Sequence, residues 1–347
     1  VNSQSRFPLD PLARQAMTRR LMQRALAKGE IALPAVPGMI DHYVSMCDDL
    51  FTSMGVRYSG ADLAKLREVL ASQLDVAYKA SPRSEIVITY ESPNGLTASY
   101  FVKGRWDTVE GAYNNWVETR KPPLFGTDPD ARVWALAEQS DQPAHCPVLD
   151  VGAGTGRNSL ALARRGHPVD AVEMTSQFAE ILTAEAGRES LNVRVLQSDV
   201  FQVGAEDLRD DYRLVLLSEV VSDFRDTAQL RGVFELAARC LAPGGHLVFN
   251  VFLARPGHVV DDAARELGQQ FYTTIFTRDE LSAAQAALPL DLITDDSVYE
   301  YEKSHLPAEK WPPTSWYAGW VCGQDVYDLP REECPIEMRW LVYRKAG

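Results

Sequence analysis

The segment VLDVGAGTGRNSLALARRGHPVDAVEM, residues 148–174, constrains this chain more than any other. A short, largely apolar run leads into three glycines, Gly152, Gly154 and Gly156. An amphipathic run follows and closes at Gly166, and a second apolar run ends at Glu173. That succession predicts a strand, a tight loop, a helix and a second strand. Glycines at such a turn let the backbone bend sharply and let a ligand approach main-chain N–H groups at a helix start. The spacing is G-x-G-x-G. A dinucleotide fingerprint would place its third glycine at position 157, which is arginine here.

From residue 148 onward, apolar runs at 148–151, 169–172, 193–196, 214–217 and 246–253 alternate with helical segments such as SQFAEILTAEAGRE and TAQLRGVFELAARCL. The alternation predicts an α/β fold with a doubly wound, mostly parallel sheet and helices on both faces. RDELSAAQAALP reads as a helix, SVYEYEK as a strand and IEMRWLVYRK as a closing strand. With an excursion at 305–335 between them, these two late strands would finish the sheet antiparallel.

Upstream, LARQAMTRRLMQRALAKG reads as a helix ending at Gly29 and GMIDHYVSMCDDLFTSMG as one ending at Gly55. SGADLAKLREVLASQLDVAYKAS is capped by Ser59 and stops before Pro82. SEIVITYESPNGLTASYFV alternates about a Pro-Asn-Gly turn, as a β-hairpin does. DTVEGAYNNWVETRK and PDARVWALAEQS complete the helices. The expected organisation is a mainly helical region at 1–120 and an α/β domain at 121–347. The first would serve as a cap, a dimerisation element or both, because its apolar faces exceed what a tail needs.

Composition narrows the partners. The net charge is −13, and Lys and Arg form no run longer than TRR or ARR, which argues against a nucleic-acid surface. Cys47, Cys146, Cys240, Cys322 and Cys334 are widely spaced with no C-x-x-C pair, which predicts reduced thiols and no metal site. No apolar run approaches the roughly 20 residues of a membrane span, and nothing resembles a signal peptide. The expectation is a cytoplasmic protein acting on a small molecule, with a homodimer through the N-terminal helices as one use of that region.

Carboxylates appear where a nucleotide-like ligand would need them. Glu173 ends the second run, where it can accept both hydroxyls of a ribose. Asp199 follows the third run, where it can accept from an adenine amino group. Asp150, inside an apolar strand, needs partners that loop N–H groups or a ligand amine would supply. Arg157 opens the helix after the glycines. Together with LAPGGHLVFNVF, this set resembles the class I S-adenosylmethionine-dependent methyltransferases. The resemblance covers about residues 145–255 and implies a Rossmann-like seven-stranded sheet with an antiparallel last strand. It also implies S-adenosyl-L-methionine as cofactor, held by Asp150, Gly152, Ala153, Gly154, Gly156, Arg157, Glu173, Met174, Asp199, Val200 and Ser218. A shorter stretch, GTGRNSLALARRGHPVDAVE, is similar to tellurite-resistance-type methyltransferases, which methylate soft chalcogen nucleophiles.

Methyl transfer requires alignment of a nucleophile, exclusion of water and, for some acceptors, a base. Glu219 follows the fourth strand directly, with Asp223 and Arg225 one turn on. Glu219, Tyr317 and His305 are the candidates for proton handling. Trp311, Trp316, Tyr317 and Trp320, beside Pro312 and Pro313, would roof an acceptor pocket or anchor the core. Trp106, Tyr113, Asn114 and Trp116 would close its other side. The expected acceptor is a thiol, sulfide or related soft nucleophile. A hydroxyl or amine is the alternative if a positioned base is found, and a cofactor-binding regulator or scaffold is the non-enzymatic alternative.

Overall fold

A computed structural model describes residues 10–24, 27–92, 97–106, 111 and 125–347. The chain divides into two compact units, Val1–Asp107 and Thr108–Gly347.

The first unit runs α1 (Pro11–Arg24), β1 (Ala27–Pro34), α2 (Ile40–Ser53), α3 (Gly60–Ala80), β2 (Glu85–Ser92) and β3 (Ser99–Arg105). Its strands form an antiparallel sheet in the order β1-β2-β3. A capping box opens α3: the Ser59 hydroxyl accepts from the Asp62 N–H, and the Asp62 carboxylate accepts from the Ser59 N–H. Leu66, Leu70 and Leu74, four apart on one face of α3, pack with Phe51, Ile86, Ile88 and Val102 into this unit's own core. The expected helix through Gly29 is not found. Helix α1 stops at Arg24, and residues 27–34 form a strand instead, with Gly29 opposite Tyr90 and Ile31 opposite Ile88. A glycine within a helix costs about 1 kcal/mol relative to alanine, whereas here its bare Cα makes room for the Tyr90 ring. The Pro-Asn-Gly turn and, apart from Gly111, the helix expected at DTVEGAYNNWVETRK lie outside the described residues.

The second unit is built on β4 (Val148–Val151), β5 (Val169–Glu173), β6 (Val193–Gln197), β7 (Tyr212–Leu217), β8 (Leu241–Ala254), β10 (Leu290–Ser297) and β11 (Ile336–Lys345). They lie in the order β10-β11-β8-β7-β4-β5-β6, with the short β9 (Ile275–Phe276) paired to β8. Pairings among β4 to β9 are parallel, and β11 is antiparallel to both its neighbours. The sheet is therefore mostly parallel with a reversed last strand. Only one late strand is reversed, because β10 runs against β11 and hence along the rest.

Successive residues of β4 serve opposite faces. Val148 joins Leu162, Phe252, Met338 and Trp340 on one side, and Leu149 joins Val233, Phe234, Phe249 and Leu281 on the other. Helices α4 (Ala131–Ala137), α5 (Arg157–Arg165) and α10 (Val298–His305) contribute to the first layer. Helices α7 (Thr227–Cys240) and α9 (Arg278–Gln285) contribute to the second. SVYEYEK, expected as a strand, is the start of α10; the strand lies just before it. Ser297 caps that helix by accepting from the Glu300 N–H, and Val298 and Glu302, four apart, are its buried pair. That spacing is the helical period, and it prevails over the alternation the aromatics suggest.

Candidate active site

Strands β5 and β6 lie to one side of β4, and β7 and β8 to the other. The glycine loop leaves the carboxyl end of β4, so it stands where the strand order reverses, the place where open α/β sheets bind their ligands. Gly152, Gly154 and Gly156 have φ of +69°, +56° and +94°, values that favour glycine. A Cβ on Gly152 would lie 2.3 Å from Val220, and one on Gly156 would lie 2.3 Å from Leu182. Among the described residues, a Cβ on Gly154 would meet only the Phe125 ring, at 3.7 Å. The outer glycines satisfy packing, and the central one keeps the crevice clear of a side chain.

Glu173, at the end of β5, is buried and reaches back to this loop. One carboxylate oxygen accepts from the Gly154 N–H at 2.8 Å and the other from the Thr175 N–H at 2.7 Å. Burial raises its pKa above the usual carboxylate range, and the backbone donors oppose that shift. Each oxygen retains acceptor capacity for a diol. Asp150, buried on β4, accepts from the Ser159 hydroxyl at 2.6 Å, and desolvation pushes its pKa up to about 7. Asp199 caps the turn after β6 by accepting from the Phe201 N–H at 3.0 Å. Met174, beside Glu173, is exposed, and Val200 is half-buried beside Asp199.

Arg157 links the loop to the end of β7. Its guanidinium donates to both oxygens of Asp130, at 2.7 and 3.2 Å, to one oxygen of Glu219 at 3.0 Å and, more distantly, to the Ser218 hydroxyl at 3.4 Å. Asp130 also accepts from the Asn158 amide at 2.8 Å. Asp130 and Asn250 are buried outright, and the Arg157 side chain nearly so. Glu219 is held a second way, since its N–H donates to the Asn250 carboxamide oxygen at 2.7 Å. Its φ is +61°, a left-handed backbone that non-glycine residues rarely adopt and that persists where the surroundings over-determine it. Desolvation raises the Glu219 pKa to about 7; Arg157 pulls it down, and Asp130 and Asp223 push it up.

Behind this pair lies Glu302. It accepts from the Ala131 and Arg132 N–H groups at the start of α4, and from the Trp340 indole at 2.9 Å. Burial raises its pKa to about 7 as well. The Tyr317 hydroxyl is buried without a hydrogen-bond partner among the described residues, within electrostatic reach of Glu302, Asp130 and Glu219.

The structure thus brings together Arg157, Ser218 and Glu219 from the sequence candidates, with Tyr317 within electrostatic reach. Asp223 lies close enough to Glu219 to influence its charge. The Arg225 N–H donates to Gln229. His305 ends α10 exposed, stacked on Tyr301 at 4.1 Å, with Nδ1 engaged by Tyr301 and Ser304. Tyr317 and Trp320 are core side chains packed with Phe252 and Trp340, and Trp311 and Trp316 are half-buried against that core. Of the two readings of the insertion, its aromatics take the core-anchoring one. Trp106 lies in the first unit and is exposed; Tyr113, Asn114 and Trp116 fall outside the described residues. Sequence reasoning missed Asp130, Asn250 and Glu302. A signal existed for Asn250, a lone amide inside the apolar run HLVFNVFL, of the kind that singled out Asp150.

Residues 148–245 match the family model described as a methyltransferase domain. Over those residues the chain is similar to methyltransferase domains, in keeping with the resemblance carried by its glycine loop and strand-end carboxylates. The release factor glutamine methyltransferase of Haemophilus influenzae is 31% identical over 33% of this chain and 49% of its own length. The ubiquinone biosynthesis O-methyltransferase of Erwinia tasmaniensis is 26% identical over 43% of this chain and 56% of its own. The chain thus spans about half the length of the curated relatives it matches. Among solved structures, geranyl diphosphate C-methyltransferase from Streptomyces coelicolor A3(2) is 17% identical, with a TM-score of 0.49, over 62% of this chain and 80% of that one.

Proposed function

We propose that this chain transfers the methyl group of S-adenosylmethionine to a small-molecule hydroxyl or amine. The observation that carries this reading is Glu219, a clamped carboxylate one guanidinium away from the glycine loop. Glu173 would hold the ribose hydroxyls, Asp199 the adenine amino group, and the bare Cα of Gly154 would admit the cofactor. Met174 and Val200 would flank the base. The cofactor supplies an electrophilic methyl group; the protein aligns the acceptor, excludes water and takes up its proton.

Glu219 suits that last task, because a carboxyl whose pKa stands near 7 can be ionised and still accept a proton at working pH. The expected thiol acceptor fits this site less well. A thiolate needs no base, and as an anion it would approach Glu219 with Asp130 and Asp223 close behind. The site therefore favours the hydroxyl or amine alternative. Calorimetry with S-adenosylmethionine tests the binding half of the proposal. Release of S-adenosylhomocysteine from purified protein, screened over phenols, alcohols, amines and thiols, tests the transfer half. Tight cofactor binding with no release for any acceptor would favour the regulator or scaffold reading.

A further inference from the structure

We propose that residues 125–130 form a strap that gates the cofactor crevice, with the Phe125 ring as its cover and the Asp128–Lys310 ion pair as its latch. This rests on the methyltransferase reading above and gives the insertion at 305–335 control over cofactor exchange at that same site.

The strap meets the crevice at its first residue. The Phe125 ring lies 3.7 Å from the point where a Cβ on Gly154 would stand, which is van der Waals contact. The same ring packs edge-on against Phe178, with centroids 5.4 Å apart and planes at 85°. Phe178 is buried on the helix Ser176–Arg188, which follows Glu173. The ring therefore bridges the glycine loop and the segment beyond the Glu173 carboxylate, and a ligand laid against Gly154 requires it to lift. The far end of the strap is fixed. Asp130 is buried, its carboxylate accepts twice from Arg157, and its N–H donates to the Asn158 carboxamide oxygen at 2.9 Å.

Between the two ends little resists movement. Gly126 has a φ of +89°, and a Cβ there would lie 3.3 Å from Pro313 and 3.9 Å from Arg157. A glycine lets the backbone turn in that space. Beside it is a cleft of about 130 Å³, lined by residues 126–128 of the strap and by Leu306, Lys310 and Pro313 of the insertion. Asp128 and Lys310, both on its wall, meet at 3.0 Å with side chains 39% and 43% exposed. An exposed pair of this kind holds weakly, and its partners can part without opening a core. A buried anchor, a glycine, a solvent-open seam and a ring over the loop are together the parts of a hinged cover. The latch is held from the insertion, so contacts made there shift the balance between closed and lifted states.

Surface plasmon resonance on the immobilised full chain reads association and dissociation rates for S-adenosylmethionine and S-adenosylhomocysteine. Lys310→Met removes the charge of the latch and keeps an apolar stem. Both rates should rise by about two- to fivefold, with Kd within about twofold, because a gate changes the two together. Combining Asp128→Lys with Lys310→Asp should restore the native rates. Phe125→Ala removes the cover, and both rates should rise by about two- to tenfold, with Phe125→Leu in between. Raising salt from about 0.05 M to about 0.5 M should speed exchange in the native chain more than in Lys310→Met. Unchanged rates in Lys310→Met overturn the latch whatever the ring variants do. Unchanged rates in Phe125→Ala, with a lowered Tm, return that ring to the core and overturn the cover. A rise in dissociation alone also overturns the proposal, since it marks Phe125 as a contact without a gate. Failure of the native chain to bind S-adenosylmethionine would instead overturn the methyltransferase reading itself.

Discussion

Replacing Arg157 with methionine keeps the length of the side chain and removes its charge. In the native fold that charge is 9% exposed and faces Asp130, at 1%, and Glu219, at 15%. Breaking a buried ion pair from one side costs about 3–5 kcal/mol, since it leaves a carboxylate in the interior without its partner. For a unit the size of residues 108–347, each kcal/mol moves Tm by about 2–4 °C, so the variant should melt about 6–20 °C lower at pH 8. The loss should shrink in acid. Glu219 already has a folded-state pKa of about 7 against an ordinary value of 4.5, and removal of Arg157 raises it further. A carboxyl whose pKa is raised on folding contributes stability below its unfolded value, and that contribution is lost as pH rises toward the folded one. The deficit should therefore be smaller at pH 5.5 than at pH 8. Asp130→Asn in the same chain should recover part of it, because an amide can stay in that site uncharged. Calorimetric melts of the native protein, the single variant and the double variant at both pH values decide the matter. A change in Tm below about 2 °C, or a deficit independent of pH, would refute the claim that Arg157 holds these carboxylates in place.

Glu173→Gln should weaken S-adenosylmethionine binding by about ten- to a hundredfold through the ribose contacts proposed for it, and unchanged calorimetric affinity in a folded variant would remove that assignment. Asn250→Leu frees the Glu219 N–H and should lower turnover while leaving cofactor affinity within about threefold; kinetics and calorimetry on one preparation check this. Gly156→Ala places a Cβ against Leu182 at a left-handed residue and should destabilise the protein by more than about 1 kcal/mol, read from urea melts. Truncation separates the two units. A chain beginning at residue 81 strips α3 from Ile86, Ile88 and Val102 and should aggregate. A chain beginning at residue 108 leaves the second unit's core intact and should stay monodisperse by light scattering.

Local pattern carried much of the fold. Five parallel strands, the glycine loop, the capping serine of α3 and the closing strand were readable because each rests on a short-range cause: period, turn chemistry or an N-cap. Errors came where two local readings competed. AKGEIALP and SVYEYEK each satisfy both periods loosely. The pairing of β1 with β2 decided the first, and burial of Val298 and Glu302 decided the second. Glu173, Asp199 and Glu219 stand out in the sequence because they follow strand ends, and Arg157 because it opens the helix after the glycine loop. The cluster they border does not. Asp130, Glu219, Asn250 and Glu302 come from four distant segments and meet only when β7, β8, α4 and α10 pack. Their charges acquire chemical meaning in the interior, where low dielectric makes one guanidinium among three carboxylates consequential. Sequence order determined the sheet and the glycine loop at the point where its strand order reverses. Tertiary packing decided which carboxylates meet around Arg157, and the hydroxyl or amine acceptor proposed above rests on that meeting.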